Sequence, residues 1–414
     1  MSQMFIRALP YIYFCLFILC SCEDHQKPVE EKSDYYFSKV FGAYDAEMGY
    51  SIQHTSDNGY IISGATSSYW ATDSLPRIFK TQHGVTDAII AKLDSMGEAE
   101  WIYTYGGELF ESAFNIQETN DGQYFFAGYT NSTGAGLYDI WIVKLDNNGT
   151  QIWEKTIGGQ NSDLGLHGDL TADGGYIITG YTIPDGQTNK DFYLVKIDVN
   201  GNVEWEKTYG DSSNQTAKYI QETSDSGFII AGDSWTATTN NDIYIIKTDL
   251  DGDMIWETKI IESNNDQVFS IKETNSGYIL IGTTTSLGMG NKDIWVIKLN
   301  NQGSIEWNKT YGGEALEYGF DIIPHGNGYV FTGSTSSYGT EFYDIWVLKI
   351  DASGELIWDV IYGGPMIDIG RAIIENQSGG FTLLGQTSSY GSGEYDFWVL
   401  RLNEFGIVAI SDSL

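Results

Sequence analysis

The chain has 414 residues, with 56 acidic against 22 basic side chains for a formal charge of −34, and carries 48 glycines, 6 prolines and 14% aromatics. That charge argues against nucleic acid and anionic membrane surfaces as partners, because the summed field repels both, while cations, neutral glycans and basic proteins stay open. The hydrophobic content of 42% supplies a core without disulfide or metal staples.

In chain order, Arg7 and the run ALPYIYFCLFILCSC come first. The apolar part, about a dozen residues, is shorter than the ~20 that span a bilayer and reads as a secretion signal over residues 1–21. All three cysteines, Cys15, Cys20 and Cys22, lie here, so the folded part has no thiol chemistry. LCSC, ending at Cys22, resembles a bacterial lipobox, which implies cleavage before Cys22 and its lipidation. The Glu23–Asp24 pair that follows resembles the surface-export signal of some Gram-negative lipoproteins. The alternative is an ordinary signal peptide that leaves one odd thiol. Residues 22–34, which include HQKPVEEKSD, are polar and aperiodic and read as a tether. The expectation is a surface-exposed outer-membrane lipoprotein that meets the membrane only through its anchor.

Everything after the tether repeats. Asp87, Asp139, Asp191, Asp242, Asp293, Asp344 and Asp396 recur at intervals of 52, 52, 51, 51, 51 and 52. A period near 50 with strand-like content signals a propeller, in which each unit buries its faces only against its neighbours. Within a unit, LHGDLTA, GYIITGYT, DFYLVKID and VEWEKTYG give four β-rich runs bounded by turn residues. The expected fold is therefore all-β, a seven-bladed β-propeller of four-stranded antiparallel blades over residues 35–414, and a monomer. Naming the strands A to D, short Asp/Asn-Gly turns close A–B and C–D on one face. The B–C and D–A connections lie on the other, variable face. FSKVFG, from Phe37 to Gly42, matches the register of WEKTIG, from Trp153 to Gly158, and reads as a detached strand D that closes blade seven.

The repeat GYIIxG…DIWxxKxDxxGxxxWxKTYGG resembles the propeller repeats of bacterial surface and secreted proteins. Its Gly149-to-Trp153 step is also similar to the tryptophan-docking motif of quinoprotein propellers. Asp146 precedes Gly149 by three positions where that motif has four, and seven units stand where that family has eight. Only the fold is carried over, and no cofactor is expected.

A residue type present in every unit is most simply a packing or turn requirement. Trp101, Trp153, Trp205, Trp256, Trp307 and Trp358 fill one register, and Trp141, Trp295, Trp346 and Trp398 another; both read as core. Asp87 and its counterparts, each followed by Lys92, Lys144, Lys196, Lys247, Lys298, Lys349 or Arg401, read as polar contacts within blades. TDLDGD, Thr248 to Asp253, resembles a calcium loop but occupies a C–D turn. A second acidic register comprises Glu47, Glu111, Asp163, Asp266, Glu317 and Asp368, with Gln215 completing it. If strand A is innermost, these ring the channel mouth, either as caps of their D–A loops or as a funnel for Ca²⁺ or a cationic ligand.

Trp70 and Trp235 fall outside the repeated registers, in B–C connections, where an aromatic stacks on a sugar ring or pins its own loop. TSSYW, TSSYGTE and TSSYGSGE place Tyr69, Tyr338 and Tyr390 on adjacent blades of a closed ring. Beside them, Gly64 to Asp87 spans 23 positions against 10 or 11 in the other units, an insertion that contains Arg77. It reads as a lid or contact arm, or as a cover for its own blade. Nucleophile, zinc-protease and phosphate-loop motifs are absent from the sequence, and its five histidines are scattered. The expected function is a binding module for a glycan, peptide or partner protein on the variable face, using Tyr69, Trp70, Arg77, Trp235, Tyr338 and Tyr390. The alternative is a polysaccharide hydrolase or lyase working through channel-mouth carboxylates.

Overall fold

The computed structural model describes residues 36–67, 79–80 and 84–408. The segments expected to be a secretion signal and a tether, with Cys22, and Tyr69, Trp70 and Arg77 lie outside them. The described residues contain no helix and form seven antiparallel sheets around one axis, six of four strands and one extended to five. The innermost strands are Glu47–His54, Glu111–Glu118, Leu164–Leu170, Asn214–Thr223, Asp266–Thr274, Glu317–His325 and Asp368–Glu375. Each packs against the innermost strand of the next blade, and the last packs against the first, which defines a central channel.

The strand sequences follow from their depth. Strands B and C, such as Tyr176–Thr182 and Asp191–Ile197, are buried along their whole length, since a blade has a neighbour on either side and both faces must be apolar. Ile177, Phe192 and Leu194 of blade three thus share a core with Ala217, Ile220, Phe228 and Ile230 of blade four. Strand D, such as Val203–Tyr209, is mostly exposed and rich in Glu and Lys, charges that blunt an open sheet edge.

Four strand-C lysines, Lys92, Lys144, Lys196 and Lys247, are buried and pair with an A–B turn aspartate rather than with the aspartate of their own strand. Lys92 Nζ lies 2.8 Å from Asp57, Lys196 2.9 Å from Asp173 and Lys247 3.0 Å from Asp225. The calcium-like TDLDGD segment is a hairpin turn, in which the Asp249 carboxylate accepts the amides of Asp251 and Asp253 at 3.0 and 2.8 Å.

The ring closes through the N-terminal strand. Ser38–Phe41 pairs antiparallel with Asp396–Leu402 as the outermost strand of blade seven. Phe37 takes the place that tryptophan holds elsewhere, beneath the C–D turn of the following blade. Gly97 there has φ +74°, and a Cβ on it would lie 2.5 Å from the Phe37 ring, as a Cβ on Gly201 would lie 3.1 Å from Trp153. The insertion contributes a two-residue strand, Phe79–Lys80, parallel to Ile102 and Tyr103 on the outer strand of blade one. Its described part therefore covers the edge of its own blade and does not extend over the channel.

Phe37→Ala is expected to cost about 3 kcal/mol, the usual loss for a buried phenylalanine, read as a lower urea midpoint. Removing Ser38–Phe41 is expected to leave the last strand open and cause aggregation. An unchanged midpoint for Phe37→Ala would contradict this closure.

Candidate functional site: the variable-face lip and channel

The acidic register forms blade junctions. All seven positions are at most 3% exposed. Each residue donates its backbone N–H, at 2.7–2.9 Å, to the carbonyl of the residue just before strand C of the preceding blade. The side chain turns back on its own D–A loop. Glu47, Glu111, Asp163, Glu317 and Asp368 accept the amides of Ala43, Gly107, Gly159, Gly313 and Gly364 at 2.7–2.9 Å. Asp266 accepts the Ser286 hydroxyl at 2.7 Å, and Gln215 donates to Asp211 at 2.6 Å. The second oxygens of Glu47, Glu111 and Glu317 take the hydroxyls of Thr66, Thr130 and Thr335. Of the two uses the sequence leaves open for this register, the observed bonds are those of loop caps in Glu47, Glu111, Asp163, Glu317 and Asp368. Among the described residues no group of three or more His, Cys, Asp or Glu side chains is placed to hold a metal ion.

These junctions fix the residues whose carbonyls they use. Tyr395, Thr86, Tyr138, Lys190, Asn241, Lys292 and Tyr343 stand one per blade at the lip, all half-buried. Below them a β-bulge in every innermost strand projects one side chain into the channel: Tyr50, Phe114, Leu166, Lys218, Phe269, Phe320 and Arg371. Neighbours in this belt touch. Tyr50 and Phe114 stack at 4.6 Å, Phe269 and Phe320 lie 5.2 Å apart, Lys218 lies 4.5 Å over Phe269, and the Arg371 guanidinium 4.4 Å over Phe320. Burial pushes the Tyr50 hydroxyl up to about 12, against the opposing pull of Arg371.

A deeper tier is polar. His167 stacks on Tyr219 at 3.9 Å, Asn115 lies 3.4 Å from His167, and Lys272 bonds the Tyr219 hydroxyl and lies 3.7 Å from Asp321. Burial, with the Lys272 charge, pulls His167 down to about 3 and leaves its imidazole neutral. Gln117, Asp169 and Gln221 accept amides of the next inner strand at 2.8, 3.1 and 2.8 Å, stitching the channel wall.

Of the predicted contact residues, Trp235 belongs to the lip. It is half-buried, and Lys190 Nζ sits between its ring, at 5.9 Å, and that of Tyr181, at 3.8 Å. Tyr338 and Tyr390 are exposed on this face and also tie down the D–A loops that lead into their own blades. Their hydroxyls donate to the Gly312 and Gly363 carbonyls at 3.0 Å, and their rings pack on Trp346 and Trp398. The bulge residues, and the lip residues other than Trp235, escaped sequence reasoning. Their signal is a constant register filled by changing residue types within an otherwise uniform repeat.

On the opposite face, grooves run between blades, one of them lined by Ser224, Glu273, Asn275, Asn301 and Asn327. Ser224 and Glu273 bond each other at 2.7 Å, and the same clamp joins Ser56 to Glu118 at 3.0 Å. A feature repeated in this way is blade-to-blade fastening.

No protein-family model matches the sequence, and no curated protein matches it. In fold the chain is similar to an ulvan lyase of polysaccharide lyase family PL25 solved with -[GlcA(1-4)Rha3S]-, at TM-score 0.55 and 11% identity over 90% of this chain and 98% of the lyase. It is similar also to the Neurospora crassa Pan2 WD40 domain, at 0.50 and 10% over 91% and 99%. The β-propeller domain of the Trilobed protease from Pyrococcus furiosus gives 0.47 and 10% over 87% and 94%. At these identities the first two likenesses, at 0.55 and 0.50, show the fold alone.

The strand-C aspartates give a pH prediction. Burial raises the Asp344 carboxyl to about 6, and Asp368 across the junction adds to the rise. Its Oδ2 accepts the Thr340 amide at 2.5 Å, while Oδ1 is buried without a partner. Folding therefore takes up a proton between the ordinary 3.8 and about 6. The stability from this group is full below that window and falls as pH rises through it. Asp344→Asn is expected to melt above the wild type at neutral pH and level with it near pH ~4. A variant that melts lower at neutral pH would contradict the assignment.

Proposed function

We propose that the chain is a cell-envelope lipoprotein, anchored at Cys22, whose propeller is a saccharide-binding module with its site at the variable-face lip and upper channel. The observation that carries this reading is the set of half-buried aromatic and cationic side chains which the bulges and junctions hold on that one face. Such rings offer apolar planes to the C–H faces of a sugar, and the adjacent Lys and Tyr groups bond its hydroxyls. A flat protein partner would be served less well by a narrow, ring-lined mouth than by the outer rim.

One observation favours an enzymatic second reading, a lyase or hydrolase that uses the channel. The Tyr219 hydroxyl bonded to Lys272, beside the neutral His167, is the kind of acid–base pair that sugar cleavage needs. Product release from mixed polysaccharides, lost in Tyr219→Phe, would support it.

Glycan-array screening of the protein tests the binding reading. Trp235→Ala and Lys190→Ala are expected to weaken any bound glycan about tenfold. Tyr338→Phe, which removes only the bond to Gly312, is expected to lower stability and leave binding unchanged. Binding that survives both lip substitutions would move the site elsewhere.

A further inference from the structure

The channel cations are not equivalent. Lys218 pairs with Asp233, which is buried, and Lys272 lies 3.7 Å from Asp321. The blade four to six side of the channel therefore carries its own counter-charge. Arg371, on blade seven, has none. Among the described residues no carboxylate lies within ion-pair distance of Arg371, Lys190 or Lys292, in a chain with 56 acids to choose from.

What surrounds Arg371 is aromatic or neutral. Its plane lies 4.4 Å over the Phe320 ring, and its Nε reaches Gln386 Oε1 at 3.4 Å. Tyr50 and Tyr395 are near enough to feel its charge, and burial holds its proton affinity below the ordinary value. Tyr318 stacks parallel to Phe320 at 6.1 Å and carries Lys292 4.5 Å over its own face. Two cations thus cap one aromatic run that spans blades five to seven.

Burying a cation without a partner is costly, and removing one partner of a buried pair is strongly destabilising. A guanidinium held flat on a ring by stacking, with its Nη edge unclaimed, is a preorganised fork for a planar or tetrahedral oxyanion. We infer that Arg371 forms an anion subsite for the carboxylate or sulfate ester of an acidic sugar chain, with Lys292 a second cation at the other end of the same aromatic run. This rests on the lip and upper channel being the saccharide site and adds the charge class of the ligand. The acidic exterior sharpens the selection, because an anion can bind only where this local charge outweighs the repelling field.

Titration calorimetry at low and high salt tests this with three probes of equal length: an oligoglucuronate, a sulfated oligogalactan and an uncharged oligoglucan. One or both acidic probes are expected to bind, more weakly at high salt, and the uncharged probe to bind at least about tenfold more weakly. Which acidic probe binds tells carboxylate from sulfate. Arg371→Gln is expected to lose about tenfold or more in affinity with an unchanged melting temperature. Arg371→Lys, which keeps the charge without the fork, is expected to fall between and serves if the glutamine variant folds poorly. Equal binding of the uncharged probe, or wild-type affinity in both variants, would overturn the subsite and leave the saccharide reading standing. Binding of no acidic probe would overturn it as well, and the array result with neutral glycans then decides the broader reading separately.

Discussion

The architecture depends on one interaction repeated at every blade junction: a residue at the head of each innermost strand donates its N–H to the preceding blade, and at six of the seven junctions its side chain also clamps the loop it has just left. The two bonds fix the strand's height and the loop's path together, and this repeated closure is what makes seven separate sheets one ring. The junction is crowded as well as polar. At Gly312 a Cβ would fall 2.1 Å from Asp293 and 2.6 Å from Glu317, so the backbone there passes between two carboxylates where only glycine fits. Glu47, Glu111, Asp163, Glu317 and Asp368 each have a backbone donor that offsets the cost of burying the charge.

Much of this was legible in the sequence because repetition is a strong signal. The 51- and 52-residue spacing gave the blade count, the uninterrupted apolar runs gave strands B and C, and the match of FSKVFG to WEKTIG gave the closing strand, with Phe37 standing in for a tryptophan. The same logic separated packing tryptophans from Trp235. Repetition did not show direction. Tyr338 and Tyr390 share a motif and a face, yet their hydroxyls are spent on the D–A loops at Gly312 and Gly363, a consequence of backbone paths that no spacing reveals. The belt from Tyr50 to Arg371 stayed hidden for a related reason. A β-bulge shifts side-chain alternation by one, so these residues sit on the wrong parity for anyone counting inward faces along strand A.

The functional reading follows from a division of labour between repeated and unrepeated positions. Identical residues hold the ring, and the registers that the ring leaves free, at the lip and the bulges, carry aromatic rings and cations. The protein as a whole is strongly acidic, yet Lys190, Lys218, Lys272, Lys292 and Arg371 gather around one mouth. Two of them are neutralised by nearby aspartates. Those that are not lie against aromatic faces, a setting that keeps a charge desolvated and available for a ligand.

The most direct measurement is hydrogen–deuterium exchange of the protein with and without a bound acidic oligosaccharide. The account predicts slowed exchange in the loops that lead to the lip, residues 186–190, 288–292 and 339–343, and none in the turn-face segments 224–227 and 274–278. Protection confined to the turn face, or to the outer strands, would contradict a site at the variable-face lip.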